Sequence, residues 1–181
     1  MQLSLGSYYI SPIALKDAWN VCNLIVTNED RFKRFFPKTS QQNLTPDLSR
    51  LFVDKKVIQF DKKEEFLFTI KENESNSLVG LIYIIELDWT KKQGEFAYCI
   101  DYNVERQGLT TNAIKLLSNY AFENLGLETL KIVVHKSNVG SVKVAENCNF
   151  THIKTLKKEF APPGENSLDM ELYELYKEIE P

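Results

Sequence analysis

The feature that most constrains this chain is a strand, a glycine-bearing turn and a long amphipathic helix between Gly94 and Phe122. The segment GEFAYCID is rich in aromatic and apolar residues, which is typical of a β-strand. After the turn YNVERQGLT, apolar residues recur at the spacing of a helix. The residues predicted to be buried on this helix are Leu109, Ala113, Leu116, Leu117, Tyr120 and Ala121.

A strand that enters a helix through such a turn leaves the first backbone N–H groups of the helix without partners. Those donors, together with the positive end of the helix dipole, form a site for a phosphate or pyrophosphate. The sequence therefore predicts that the turn containing Gly108 binds a phosphorylated ligand.

The composition is that of a globular protein. The length of 181 residues suits one domain over residues 1–181, and 43% apolar residues suffice for a core. The net charge of −3 and the lack of a long basic run argue against direct nucleic-acid binding. No signal peptide is visible, and no apolar stretch approaches the roughly 20 residues that span a bilayer. We expect no membrane partner.

The three cysteines, Cys22, Cys99 and Cys148, are odd in number and scattered through predicted apolar elements. This pattern favours buried free thiols over disulfides or metal ligands, and it predicts a reducing, cytoplasmic location. His135 and His152 lack the spacing of a metal site, so we expect no metal.

The other elements follow from periodicity and from capping and turn residues. The first helix is predicted from Leu15 to Val26, with Leu15, Ala18, Trp19, Cys22 and Ile25 buried. A short helix is predicted in RFKRFFPK, stopped by Pro37, and its phenylalanines are assigned to the core rather than to an acceptor site. Another helix begins at the cap Thr45, with Leu48, Leu51, Phe52 and Lys55 on one face. The other strands are predicted at Tyr8–Ile13, Phe66–Lys71, Leu78–Leu87 and Leu130–His135. The last helix is predicted at Val139–Asn147 and the late loop at Ala161–Asn166, and two closing strands complete the chain.

The segment Gly94–Phe122 resembles the GNAT superfamily of N-acetyltransferases, in particular its RimJ/RimL-type branch, which acetylates the N-termini of ribosomal proteins. That family carries Q/R-x-x-G-x-G/A at this turn, and the corresponding positions here run from Glu105 to Thr110. Gly108 matches strictly, whereas Glu105 and Thr110 depart from the pattern.

The next strand and helix, LKIVVHKSNVGSVKVAENCNF, resemble the family pattern N-x-x-S-x-x-[VL]-A-E-x-x-G-F. Asn149 replaces the glycine of that pattern and, like glycine, enters left-handed conformations. The resemblance covers nearly the whole chain in the expected order. The matching residues are Asn138, Ser141, Val144, Ala145, Glu146 and Phe150.

The resemblance implies an α/β (α+β) fold, with a mixed, mostly antiparallel central sheet flanked by helices in one domain. It also implies acetyl-CoA as the acyl donor. The residues expected to bind it are Ile100, Tyr102, Arg106, Gln107, Gly108, Leu109, Thr110, Thr111, Asn138, Ser141 and Val144. Asn138 also suits the N-cap of its helix, and the two roles are compatible.

Glu95 is the candidate general base, because the resemblance places it where many superfamily members carry a catalytic glutamate. Partial burial would raise its pKa, and the alternative is a solvated carboxylate at a strand edge. Ser141 is the candidate acid or hydrogen-bond donor for the leaving thiolate, or else an ordinary residue of a first helical turn. The tyrosine that many members use for this purpose is replaced by Ala145.

The predicted activity is direct acetyl transfer to a primary amine, because no cysteine or serine is paired with a histidine in a recognisable motif. The acceptor is left open among a protein N-terminus, a polyamine, an amino sugar and a small metabolite. A non-catalytic CoA-binding or partner-binding domain is the alternative from another class. Both a monomer and a homodimer are compatible with the sequence.

Overall fold

The structure is a computed structural model, and it describes residues 1–178. The strands are β1 Leu3–Leu5, β2 Tyr8–Pro12, β3 Phe66–Glu72, β4 Leu78–Asp88, β5 Gln93–Ile100, β6 Thr129–Val134, β7 Thr151–Phe160 and β8 Leu168–Tyr176. The α-helices are α1 Ala18–Thr27, α2 Glu29–Phe32, α3 Pro37–Gln41, α4 Pro46–Asp61, α5 Leu109–Asn124 and α6 Val139–Asn147.

The strands form one sheet in the order β1-β2-β3-β4-β5-β6-β8-β7. Antiparallel pairing joins β1 to β2, β2 to β3, β6 to β8 and β7 to β8, whereas β5 and β6 are parallel. The predicted mixed, mostly antiparallel sheet with flanking helices is therefore confirmed. The short strand β1 was not predicted, because three residues are too few to show a period.

The chain divides into two compact units, each built from several segments. The first unit comprises residues 1–83, 98–105 and 162–165. The second comprises residues 84–97 and 106–161 and, of the residues that the structure describes, 166–178. The assignment of residues 1–181 to a single domain stays a prediction.

In the first unit, α1 and α4 pack against each other and supply buried side chains such as Ile25 and Phe52. The prediction that Leu15 and Trp19 are buried is wrong, since both are largely exposed. A 3-10 turn over Leu15–Asp17 precedes α1 and changes the helical phase, so that Asp17 takes the inward position instead.

Two details of the following helices correct the sequence-based boundaries. The prediction that Pro37 stops the helix in RFKRFFPK is wrong, because α2 ends at Phe32. Pro37 occupies the first position of α3, where its missing N–H costs nothing. The predicted cap of α4 is confirmed, with the Leu48 N–H donating to the Thr45 hydroxyl over 3.3 Å. Leu48 and Leu51 are exposed, however, and α4 buries Ser49, Phe52 and Val53.

In the second unit, the buried face of α5 is largely as predicted. Ala113, Leu117 and Ala121 are fully buried, while Leu116 and Tyr120 are half-buried. The helix α6 has the predicted bounds. Asn149, two residues after the end of α6, has the expected left-handed conformation with φ of 63°. The three cysteines are buried and free, as predicted.

A buried ion pair links β3 to the start of the first helical region. The Lys71 ammonium lies 2.8 Å from a carboxylate oxygen of Asp17, and the side chains are only 4% and 2% exposed. The second carboxylate oxygen of Asp17 accepts a hydrogen bond from the Ala14 N–H at 3.0 Å. Asp17 thereby joins the turn before α1 to the sheet.

We predict that Lys71→Met lowers the free energy of unfolding by about 3–5 kcal/mol, because it leaves a buried carboxylate without its cation. Chemical denaturation at neutral pH measures the loss. The matched control is Lys92→Met, which removes an ion pair to Glu128 whose side chains are 53% and 57% exposed. That control should change stability by about 0.5 kcal/mol or less. Equal losses in the two variants would contradict the prediction.

Candidate active site

The parallel pairing of β5 with β6 extends over only part of both strands. Its register runs from Gln93 opposite Thr129 to Phe96 opposite Ile132, whereas β6 continues to Val134 and β5 to Ile100. The two strands therefore cease to pair before either of them ends. Backbone groups beyond the last pair are the kind that an extended ligand can use as hydrogen-bond partners.

The turn before α5 has the backbone geometry of an anion site. Arg106 and Gly108 both have left-handed conformations, with φ of 60° and 73°. Gly108 is the N-cap of α5, and no side chain caps the helix there. Alternating left-handed residues before a helix direct successive N–H groups into one concavity. The structure thus leaves the first donors of α5, at Leu109, Thr110 and Thr111, available to an anion.

Gly108 is required by this conformation rather than by crowding. A Cβ atom at this position would meet nothing within 4 Å, but φ of 73° is strained for any residue with a side chain.

The predicted cofactor-binding residues around this turn differ in what they expose. The side chains of Arg106 and Gln107 are exposed, whereas that of Leu109 is buried, so that Leu109 offers only its N–H. Thr110 and Thr111 are half-buried, and the Thr111 carbonyl accepts from the Cys148 thiol at 3.3 Å.

Two predicted cofactor residues, Ile100 and Tyr102, belong to the first unit. The Tyr102 N–H donates to the side-chain oxygen of Asn28 at 3.2 Å. The Ile100 carbonyl accepts from the Arg31 guanidinium at 3.4 Å. Glu105, the residue that departs from the family pattern, forms an ion pair with Arg31. The sequence did not predict the contacts of Asn28 and Arg31 with the segment 100–105, because no local pattern links positions about 70 residues apart.

The start of α6 brings Asn138 and Ser141 into contact. Asn138 is the N-cap, and its side-chain oxygen accepts from the Ser141 N–H at 3.2 Å. Ser141 and Val144 are half-buried. Ala145, at the position where many superfamily members carry tyrosine, is completely buried.

Glu95 lies on β5 directly opposite Lys131 of β6 and is half-buried. Burial is the main cause that raises its pKa to about 7. The negative charges of Glu86 on β4 and Glu159 on β7 raise the pKa further, and the Lys131 ammonium lowers it. A carboxylate with this pKa is a competent proton acceptor near neutral pH. The sequence analysis missed the three charged neighbours, which come from three different strands.

The segment RFKRFF lies in the first unit. Phe32 is buried, in agreement with its assignment to the core, and Phe35 and Phe36 are half-buried. A cavity of about 420 Å³ in this unit is lined by Lys33 and Arg34 of the segment, but not by its phenylalanines. Among residues 1–178, no group of three or more histidine, cysteine or acidic side chains is arranged to hold a metal ion.

Comparison with known proteins decides the family. The sequence profile described as an acetyltransferase (GNAT) domain matches residues 8–151. The chain belongs to the GNAT acetyltransferase family. Members of this family transfer acetyl groups from acetyl-CoA, so acetyl-CoA is the acyl donor of this protein.

Three GNAT proteins illustrate the range of its similarities. "Probable N-acetyltransferase YjcK" of Bacillus subtilis is 27% identical over 143 residues, which are 78% of this chain and 79% of the relative. Spermidine N(1)-acetyltransferase of Escherichia coli is 29% identical over 86 residues, or 48% of this chain and 46% of the relative. The ribosomal-protein-S5-alanine acetyltransferase of Vibrio fischeri has the same fold, with a TM-score of 0.90 at 18% identity over 97% of this chain and 96% of that one.

No helix among residues 1–178 of this GNAT protein combines the length and the apolar character that crossing a membrane requires.

We predict that Glu95→Gln makes the protein more stable at high pH. The folded state raises the pKa of Glu95 from 4.5 to about 7, because burial favours the protonated carboxyl. The stability that this group contributes is therefore fully present below pH 4.5 and is lost as the pH rises through 7. This difference between the two pKa values corresponds to about 3 kcal/mol of stability, which water contact at the half-buried carboxyl reduces to about 1–2 kcal/mol. Glutamine mimics the protonated form at every pH.

Denaturant unfolding of both proteins between pH 4.5 and 8.5 measures this effect. The difference in unfolding free energy should be near zero at pH 4.5 and reach its full value above pH 8. The exposed Glu128→Gln variant serves as the control and should show no such trend. A difference that stays constant with pH would contradict a raised pKa at Glu95.

Proposed function

We propose that this protein transfers the acetyl group of acetyl-CoA directly to the α-amine of a protein N-terminus. The observation that carries the proposal is the half-buried Glu95, whose pKa is raised to about 7, on the strand that leads to the uncapped start of α5. A proton acceptor and an anion site are thus supplied by one continuous segment.

The cofactor is held in this proposal by the turn before α5 and by the start of α6. The N–H groups of Leu109, Thr110 and Thr111 bind the pyrophosphate, and Arg106 can add a charged hydrogen bond. Asn138 and Val144 contact the pantetheine arm, with Asn138 also remaining the cap of α6. Acetyl-CoA supplies an acetyl thioester, which an amine attacks without a covalent enzyme intermediate.

Glu95 accepts the proton that the acceptor ammonium must lose before its nitrogen becomes nucleophilic. Its environment retains enough affinity for the proton without keeping the carboxyl protonated at neutral pH. Lys131 matters here, because its positive charge limits the rise in pKa that burial, Glu86 and Glu159 produce.

Ser141 donates a hydrogen bond to the departing thiolate in this mechanism. A serine hydroxyl is a weak acid, so stabilisation of the sulfur is a more suitable role for it than full proton transfer. Ala145 favours this role for Ser141, since it supplies no hydroxyl at the position where many superfamily members carry tyrosine.

The pKa of Glu95 favours an α-amine over an alkylamine, such as that of lysine or a polyamine, as the acceptor. An α-amino group has a pKa of about 8, whereas a side-chain alkylamine has one of about 10.4. Transfer of a proton to a base with a pKa of about 7 therefore costs much less free energy from the α-ammonium group than from an alkylammonium group. The fold shared with a ribosomal-protein-alanine acetyltransferase supports the same choice. The spermidine acetyltransferase that matches half of this chain makes a polyamine the second candidate.

A panel of acceptors tests this choice. We expect short peptides with a free α-amine to be acetylated at neutral pH, with thiol release measuring turnover and mass spectrometry locating the acetyl group. Matched peptides with a blocked N-terminus and an internal lysine should be at least about 100-fold poorer, as should spermidine. A preference for spermidine would establish the polyamine alternative. No turnover with any acceptor, by protein that binds acetyl-CoA, would favour a non-catalytic binding domain.

We predict that Glu95→Gln lowers turnover by about 100-fold or more at pH 7 while cofactor affinity stays near that of the wild type. The deficit should shrink at pH 9, where free amine is abundant and needs no base. Steady-state rates across this pH range measure the effect, with the exposed Glu128→Gln variant as the control. Identical pH profiles for the wild type and Glu95→Gln would remove Glu95 from the mechanism.

A further inference from the structure

The residue Glu105 poses an electrostatic problem for the proposed cofactor site. It is three residues before Gly108, so the two Cα atoms are at most about 11 Å apart along the chain. A carboxylate at such a range repels a bound pyrophosphate, and the repulsion is large near a protein surface, where the effective dielectric constant is lower than that of water. The family pattern has glutamine or arginine at this position, neither of which carries a negative charge.

We propose that Arg31 is a positioning residue for acetyl-CoA, which cancels the charge of Glu105 and fixes the segment that leads into the cofactor turn. The inference rests on the proposed placement of the cofactor at residues 106–111. It concerns an interaction within the first unit, to which Arg31 and the segment 98–105 belong.

The guanidinium of Arg31 has three acceptors, all from the first unit. One terminal nitrogen, Nη2, pairs with the Glu105 carboxylate. The other, Nη1, donates to the side-chain oxygen of Asn28 at 3.0 Å and to the Ile100 carbonyl at 3.4 Å. The planar fork of arginine suits this arrangement, because it directs several donors to separate acceptors at once. A lysine would supply the charge but not the fixed geometry.

Asn28 anchors the same segment from the end of α1. Its side chain is buried, and its amide nitrogen donates to the Leu24 carbonyl at 3.0 Å and to the Asp101 carboxylate at 3.1 Å. Its side-chain oxygen accepts from both Arg31 and the Tyr102 N–H. The buried Asn28, directly after α1, thus holds the chain at 101–102, while Arg31 holds it at 100 and 105.

These contacts have two consequences for a ligand at the following turn. The ion pair reduces the negative potential that Glu105 would otherwise impose on a phosphate. The hydrogen bonds order the segment before Arg106 in advance, so that binding does not have to order it. The first effect is electrostatic and can be separated from the second by mutation.

Titration calorimetry with acetyl-CoA tests the proposal on the complete protein. We expect Arg31→Ala to raise the dissociation constant on the order of 10-fold, an effect that added salt should diminish. The matched control is Arg34→Ala, which removes the same charge from the same segment. Its ion pair with Glu165 has side chains 41% and 38% exposed, against 40% and 38% for Arg31 and Glu105. The control should stay within about 2-fold of the wild type.

The double variant Arg31→Ala, Glu105→Gln separates charge cancellation from loss of structure. Removal of both charges should restore the dissociation constant to within about 3-fold of the wild type, and Glu105→Gln alone should bind no more weakly than the wild type. An unchanged affinity in Arg31→Ala would overturn the proposal. A double variant that binds as weakly as the single one would overturn charge cancellation and assign the effect of Arg31 to its hydrogen bonds with the segment before the turn. Wild-type protein that fails to bind acetyl-CoA would overturn the proposed function itself, and the role of Arg31 with it.

Discussion

Two adjacent parallel strands cannot be joined by a tight turn, and this constraint determines the arrangement of the second unit. The chain must return from the carboxyl end of β5 to the amino end of β6, and it does so through the crossover helix α5. The start of that helix therefore follows the end of a strand, at a turn that needs left-handed residues. The same pairing places Lys131 opposite Glu95. The uncapped start of α5 and the carboxylate with a raised pKa are both consequences of one parallel pair.

Charged side chains with little solvent contact occur in two different environments, a close ion pair and an incompletely compensated carboxylate. Asp17 and Lys71 neutralise each other almost without solvent contact, and together they connect the first helical region to the sheet. Glu95 has two acidic neighbours and one cation, so that burial and repulsion together raise its pKa. A fully paired charge contributes to structure. An incompletely compensated carboxylate costs stability and is suited to proton transfer.

Departures from a family motif also need to be judged by their tertiary surroundings. Glu105 is unfavourable beside a pyrophosphate when only the motif is considered, yet the structure pairs it with Arg31 from the region after α1. In the same way, Ala145 lies where a tyrosine is common in the family, and its side chain is completely buried. Each departure is accompanied by a structural feature that the motif itself does not contain.

The sequence by itself determined the helices other than α2 and α3, most strands, the caps at Thr45 and Asn138, and the left-handed Asn149. These features depend on short-range periodicity and on the backbone preferences of single residues, so they can be read from neighbouring positions. It predicted wrongly that Leu15 and Trp19 are buried, because the 3-10 turn changes the helical phase. Only the tertiary structure decided the charges around Glu95 and the partners of Glu105 and Asp17. Those interactions join residues far apart in the chain, and the pKa of a carboxylate depends on burial and on through-space charges that no local pattern encodes.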